Sequence, residues 1–438
     1  MVDKRLPKYA GTEGLGDRPL RWLFLDLNAY FAAVEQAEDP ELRGRPIAVA
    51  PTEGDSATCI AASYEAKKFG VKTGTKTGDA RRMCPEIVFV PARPKLYVHY
   101  HRQILAAVEQ VLPIDKVCSI DEMKCRLLGE ETHPDRARAL ARQIKQAILD
   151  SVAPNLTSSV GIAPNSFLAK LATDLEKPDG LVVLESHELP DRLRGLKLTE
   201  FTGINRRMEA RLMAAGIFRS DDLIDRSPAE LARAFGSKSG ERWWYLLRGH
   251  EMEQETETGK SLGHSYVLPP DLRHDAACRD VMLRLLHKAC ARLRQDGFWA
   301  SHISVGVSGM AQSWHAEARL EPTQETLVAQ EVALRLWEHR NFARPLKVSV
   351  TFTGLKRADA VTPSLFAPEA VDAKVGRAVD AVNQKFGKNQ VYLASLTQTK
   401  DHASEKIAFQ KTWLFAEGKG DHEWVDTRRA KTDPDPLT

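Results

Sequence analysis

The stretch VCSIDEMKCRL, Val117 to Leu127, sets two adjacent carboxylates, Asp121 and Glu122, inside what reads as a β-strand. Successive strand side chains point to opposite faces. The alternation puts Val117, Ser119, Asp121, Met123, Cys125 and Leu127 on one face, and Cys118, Ile120, Glu122, Lys124 and Arg126 on the other. Glu122 has a same-face partner in Lys124. Asp121 shares its face mainly with apolar side chains, where an unpaired carboxylate costs roughly several kcal/mol. No neighbour supplies the missing cation, so something from elsewhere must.

A second out-of-place acid is Asp26 in WLFLDLNAYF. Trp22 and Phe24 precede it on one face, while Leu23, Leu25 and Leu27 line the other. Taken singly, each acid reads as a strand-end group that caps a helix or meets an arginine. Taken together, Asp26, Asp121 and Glu122 are oxygen donors of the kind that hold two hard divalent cations. Such a pair activates an attacking hydroxyl and stabilises a leaving phosphate oxygen.

The chain has 438 residues, which predicts roughly two to four domains. A hydrophobic content of 43% with 28% charged residues is ordinary for a soluble globular protein. No apolar run approaches the ~18 residues of a membrane span, and the polar N-terminus lacks the apolar centre of a secretory signal. Cys59, Cys84, Cys118, Cys125, Cys278 and Cys290 form no CxxC pair, so reduced core thiols and a cytoplasmic location are expected. The net charge of +3 implies that any basic surface is local.

Residues 21 to 184 alternate strand-like and helical patterns: RWLFLDL, IAVA, ATCIAAS and LTSSVGIA as strands, RARALARQIKQAILDSV as a helix. Short Gly-punctuated helices follow up to residue 250, and HEMEQETETGK, His250 to Lys260, reads as a linker. Beyond it come a strand at SYVL, a helix at DAACRDVMLRLLHKACARLRQDG, strands at FWASHISVGVSG and SWHAEARLEP, a helix at TQETLVAQEVALRLWEHR and a strand at RPLKVSVTFTGL. That order, β-α-β-β-α-β, is the split-βαβ pattern. A helix near EAVDAKVGRAVDAVNQKFG and a strand at NQVYLASL complete the unit, and the tail looks disordered.

FLDLNAYFAAVE, AASYEAKKFGVKTG, CSIDE and GIAPNSFLAKLATDLEKPDG, in this order, resemble the Y-family translesion DNA polymerases, most closely the DNA polymerase IV-like branch. The resemblance covers roughly residues 20 to 400. It implies an α+β multidomain right hand: a flexible leader at 1–20, palm at 21–29 and 96–184, and fingers at 30–95. A helical thumb at 185–250, a linker at 251–261, a split-βαβ little finger at 262–400 and a tail at 401–438 complete it. It also implies two Mg²⁺ ions on Asp26, Asp121, Glu122 and the backbone carbonyl of Leu27, with a primer 3′-hydroxyl attacking the α-phosphate of a dNTP. Phe31 matches the steric gate against a ribose 2′-hydroxyl. Tyr64, Lys67 and Lys170 match triphosphate contacts, and Thr58 and Ile60 positions facing the nascent base pair. Four positions depart from the usual pattern: Met123 and Lys124 after the acidic pair, Ala61 before Ser63, and Lys67 where arginine is usual.

FTGINRRMEARLMAAGI resembles a helix-hairpin-helix that presents backbone N–H groups to a DNA phosphate. Gly203 opens the hairpin, and Asn205 replaces its usual second glycine, as a residue that tolerates left-handed backbone. Arg284, Lys288 and Arg292 recur every four residues as a basic helix stripe, a solvated face or a phosphate contact. QKTWLF, with Gln410, Leu414 and Phe415, loosely resembles peptides that bind bacterial sliding clamps; an apolar segment folding onto its own domain is the alternative. The expectation is a monomeric, distributive, error-tolerant polymerase that takes primer-template DNA and dNTPs. A non-catalytic paralogue that binds DNA and recruits partners is the alternative, and a nucleotide cyclase is disfavoured because it needs neither hairpin nor split-βαβ domain.

Overall fold

The computed structural model describes residues 18–51, 54–55, 57–252, 261–309, 312–340, 344–361, 371–386, 390–392 and 394–397. They fall into two compact units that divide in the expected linker. The leader, most of that linker, the tail and the QKTWLF segment lie outside the described residues.

In the first unit, β1 (Trp22–Leu27) is buried at all six positions, as an apolar run on both faces requires. Ala29 then takes a left-handed backbone, φ 49°, and α1 (Tyr30–Glu38) begins. A small sheet is built from β2 (Ile47–Ala50), β3 (Ala61–Ala62) and β4 (Val88–Pro91) in the order β3-β2-β4. Of the expected strand ATCIAAS, only those two alanines are ladder-paired. Ser63 caps the short helix α2 (Tyr64–Lys68), accepting from the Ala66 N–H at 3.3 Å. A longer helix, α3 (Pro94–Glu109), leads back to a second sheet.

That second sheet corrects the opening expectation. Val117 to Leu127 is not one strand but a hairpin: β5 (Ile114–Val117), a tight turn over residues 118–121, then β6 (Glu122–Arg126). The Cys118 and Ser119 N–H groups both donate to the Glu122 carbonyl, at 2.9 and 3.0 Å, and close the turn. Asp121 therefore sits at a turn rather than on an apolar strand face. Alternation holds only from Glu122 on, with Met123 and Cys125 fully buried.

Helix α4 (Pro134–Ser151), strand β7 (Ser158–Ala163), helix α5 (Ser166–Leu175) and strand β8 (Leu181–Val183) complete a sheet ordered β5-β6-β1-β7-β8. Helix α5 lies unusually close to β7. A Cβ on Gly161 would stand 2.1 Å from the Ala169 carbonyl oxygen, so only glycine permits the approach. Short helices end the unit, among them α6 (Arg206–Ala214).

The second unit follows the split-βαβ order. Its strands are β9 (Ser261–Val267), β10 (Phe298–Ser308), β11 (Ser313–Thr323) and β12 (Lys347–Thr353). They form one antiparallel sheet ordered β11-β10-β12-β9. Helices α7 (Asp275–Asp296) and α8 (Thr326–Glu338) share a core with Ile303, Val305, Val307, Val348, Val350 and Phe352. A further helix, α9 (Val371–Phe386), matches expectation. The strand expected at NQVYLASL is absent from its described residues; a 3₁₀ turn over Ala394–Leu396 stands there, and Asn383 brackets Val391 with two hydrogen bonds, 2.8 and 2.9 Å.

The five cysteines other than Cys118 are buried, and all six are free thiols. No helix of the described residues is long and apolar enough to cross a membrane.

Candidate active site

The acidic corner is made by strand register. Asp26, the fifth residue of β1, lies opposite Glu122, the first of β6. The Asp121 carbonyl accepts the Leu27 N–H at 2.9 Å, and the Ser119 hydroxyl donates to the Asp121 carboxylate. His101 from α3 donates its Nδ1–H to the Ile120 carbonyl at 2.8 Å, which fixes the turn from behind. Asp26 is 6% exposed, so its charge has to be met inside the fold.

The cation expected beside Asp121 pairs instead with its neighbours: two lysines answer Asp26 and Glu122, while Asp121 keeps the Ser119 hydroxyl. Lys170 on α5 donates to Asp26 and stands 3.0 Å from Glu122 and 3.8 Å from Asp174. Lys177 lies 2.9 Å from Asp26 and 2.8 Å from Asp174. Lys124 is not the partner of Glu122. Its ammonium sits 4.0 Å above the Trp22 ring and donates to the Ser166 hydroxyl at 3.3 Å. Trp22 is paired with Arg126, so Lys124 reaches its ring on the diagonal of the ladder.

Burial raises both Asp121 and Glu122 above the usual carboxylate range. The Ser119 hydrogen bond partly offsets this for Asp121 while Asp26 repels it, and Lys170 offsets it for Glu122. Burial opposes the charge of Lys170, but Asp26 and Glu122 outweigh it and hold the ammonium firmly protonated. Among the described residues, no three His, Cys, Asp or Glu side chains form a ready metal cage. The Asp26 and Glu122 carboxylates converge on ammonium groups instead. A hard-oxygen donor set gathered round a bridging positive charge fits a divalent cation by its chemistry.

Sequence reasoning missed Lys177, whose KPDG segment carries no distinctive periodicity. That loop is built onto the site: the Asp179 N–H donates to Asn28 Oδ1 at 2.8 Å, and Lys145 pairs with Asp179 at 2.8 Å. Lys177 also acts on the expected triphosphate contacts. Burial raises the Tyr64 hydroxyl and Lys177 pulls it back; desolvation and then the Lys177 charge lower Lys67. Lys67 itself lies 3.9 Å from the Tyr64 ring centroid, as their shared helix face predicts. Tyr64, Lys67, Lys170 and Lys177 therefore surround one corner of the first unit.

Phe31, the second residue of α1, is buried and stacks on Tyr97 of α3, centroids 4.4 Å apart at 22°. Thr58 is exposed and bridges Lys76, while Ile60 is half-buried and donates its N–H to Val49 at 2.8 Å. Ala61 is buried in β3.

Gly203 has φ +100°, as a hairpin opening needs. Asn205 does not take a left-handed backbone. At φ −86° it caps α6, accepting from the Arg207 and Met208 N–H groups at 3.1 and 3.0 Å. In the second unit, Arg284, Lys288 and Arg292 are half-buried rather than a solvent-facing row, and Arg292 pairs with Asp296 at 3.5 Å. The polar sheet face is more open: His302 of β10 is exposed beside Arg319 of β11, and Ser304 lies between Glu317 and Thr351.

Known proteins agree with this architecture. The impB/mucB/samB family profile matches residues 25–174, and the profile of that family's C-terminal domain matches residues 259–365. DNA polymerase IV of Moorella thermoacetica is 33% identical over 387 residues, covering 86% of this chain and 96% of its own. DNA polymerase IV 1 of Halalkalibacterium halodurans is 30% identical, covering 83% and 90% respectively. Among solved structures, a chimeric Y-family DNA polymerase superposes with a TM-score of 0.65 at 25% identity, covering 78% of this chain and 100% of its own. The right hand of palm, small fingers, thumb and little finger is thus the architecture of this chain, and it belongs to the Y family of translesion DNA polymerases, on the DNA polymerase IV branch, as a DNA-directed DNA polymerase.

Proposed function

We propose that the acidic corner is the catalytic centre, with Asp26, Asp121, Glu122 and the Leu27 carbonyl as ligands of two Mg²⁺ ions. The observation that carries this is the Lys170 ammonium bridging Asp26 and Glu122, a resident positive charge where a hard cation would sit. When bound, the ions supply the charge that activates a primer 3′-hydroxyl and stabilises the phosphate oxygens it attacks and displaces. The chain's own residues do the rest. Lys170 and Lys177 leave the carboxylates and, with Tyr64 and Lys67, bind the triphosphate of the incoming dNTP and the departing pyrophosphate. Phe31 lies under the sugar and excludes a 2′-hydroxyl. Thr58 and Ile60 face the nascent pair.

DNA is held without sequence readout. The backbone at Gly203 meets one phosphate, with Asn205 fixing the helix behind it rather than shaping the turn. In the second unit the open sheet face contributes more than Arg284, Lys288 and Arg292, whose burial limits their reach. The palm takes residues 21–29 and 96–184, the fingers 30–95, the thumb 185–250 and the little finger 262–400. A monomer acting in the cytoplasm, with Gln410, Leu414 and Phe415 docking on a sliding clamp, rests on sequence alone.

The test is primer extension by the full chain with Mg²⁺ and dNTPs, on undamaged and abasic templates, beside Asp121→Ala. Short extension that Asp121→Ala abolishes while DNA binding persists supports the reading. Normal extension by Asp121→Ala removes the metal assignment.

A further inference from the structure

Behind the ring of Phe31 lies a closed set of four side chains that the polymerase reading leaves unused. Phe31 and Glu35 are four residues apart on α1, so they share a helix face. Arg93, at the N-terminal boundary of α3, and Tyr97 repeat that spacing on the facing helix. The Tyr97 ring stacks on Phe31 at 4.4 Å, and its hydroxyl donates to Glu35 Oε1 at 2.7 Å. Arg93 donates to the same carboxylate through both arms of its fork, with Nε at 3.0 Å from Oε1. Tyr30, next to Phe31, donates its hydroxyl to the Tyr97 carbonyl. Glu35 and Tyr97 are both 0% exposed.

We propose that the Glu35–Arg93 ion pair is a positioning device for sugar selection, holding Tyr97 as a fixed backstop so that Phe31 cannot yield to a ribose 2′-hydroxyl. The proposal rests on Phe31 being the gate. A ring that blocks one oxygen atom works only if it cannot retreat by a fraction of an ångström, and flexible apolar packing alone permits such retreat. The bidentate pair and the tyrosine hydroxyl remove that freedom, because each bond fixes both distance and plane. A buried ion pair is a poor source of stability compared with apolar packing. Its presence directly behind a selective side chain is explained by specificity.

The experiment measures single-nucleotide insertion of a dNTP and of its rNTP counterpart by the full-length protein. The variants are Phe31→Ala, Glu35→Gln and Tyr97→Phe, each checked by its melting temperature. Glu35→Gln and Tyr97→Phe are expected to lower the dNTP-over-rNTP ratio of kcat/KM by about tenfold, chiefly through a lower rNTP KM, with dNTP insertion within about threefold of wild type. Tyr97→Phe keeps the ring and all charges, so it remains informative if Glu35→Gln fails to fold. If Phe31→Ala loses discrimination while the folded Tyr97→Phe keeps the wild-type ratio, the backstop is wrong and the gate stands. If Phe31→Ala keeps the ratio, the gate reading itself falls, and the backstop with it.

Discussion

The two large sheets of this chain treat charge in opposite ways. In the first unit, β1 is covered on both faces, and the acids at its end are answered by Lys170 and Lys177 across distances of 3.0 Å or less to Asp26 and Glu122. In the second unit the sheet is apolar on one face only; the other carries hydroxyl groups, the His302 imidazole and separated charges such as Glu317 and Arg319 in water. On the proposed function, the first arrangement would concentrate the chemistry in a few groups that cannot be changed singly. The second would spread weak contacts over many residues, each dispensable.

That contrast breaks most sharply at Asp26. Asp26→Ala is expected to lower primer extension by ~10³-fold or more, because a ligand lost from a metal clamp removes several kcal/mol of transition-state stabilisation. Extension within tenfold of wild type would place the chemistry elsewhere. Phe31→Ala should cost about 10² in discrimination against ribonucleotides while keeping deoxynucleotide insertion; an unchanged ratio in competition assays would move the gate. Gly161→Ala should destabilise the first unit by about 1–3 kcal/mol, read from its urea midpoint, since α5 has to be pushed off β7. A midpoint equal to wild type would mean that the approach is not needed.

Acid should act on both units, and more gently. Burial, with Arg18 and Arg248 nearby, pushes His250 down to about 4, and burial also lowers His287 in the second unit. A folded pKa below the unfolded ~6.5 means that the unfolded chain binds the proton first. The contribution is complete above pH 6.5 and is lost as pH falls towards 4. His250→Gln should therefore flatten the decline of melting temperature between those values; an unchanged slope would show that His250 is hydrated in the fold. The smallest effect belongs to the open face. Arg319→Ala should weaken DNA binding by less than about threefold and reduce the salt slope by about one. A tenfold loss would mean that this face, too, depends on single residues.

The sequence made the apolar frame legible and left the turns obscure. RWLFLDL and the helix from Asp275 show their burial in their spacing, and the second unit's order follows from pattern alone. The hairpin at residues 118–121 carries a turn signal in Ser119 and Asp121, which bond to each other there, but Cys118 and Ile120 between apolar neighbours kept the stretch reading as one strand. Asn205 was misread because asparagine serves left-handed turns and helix caps alike. The partner of Asp26 was beyond reach: Lys170 lies 144 positions away, and only the α5 approach across Gly161 brings it near. Lys124, read as the neighbour of Glu122, finds the Trp22 face because the ladder register offers a desolvated ring.

The central claim is that Asp26 and Glu122 exchange their lysine partners, and Asp121 its serine hydroxyl, for metal ions when substrate binds. Calorimetric titration of Mn²⁺ into the full chain with saturating dNTP and primer-template DNA tests it most directly. The account predicts two ions per wild-type chain and fewer than two for Asp121→Ala, with the nucleic acid still bound. Two ions bound with wild-type affinity by Asp121→Ala would contradict it.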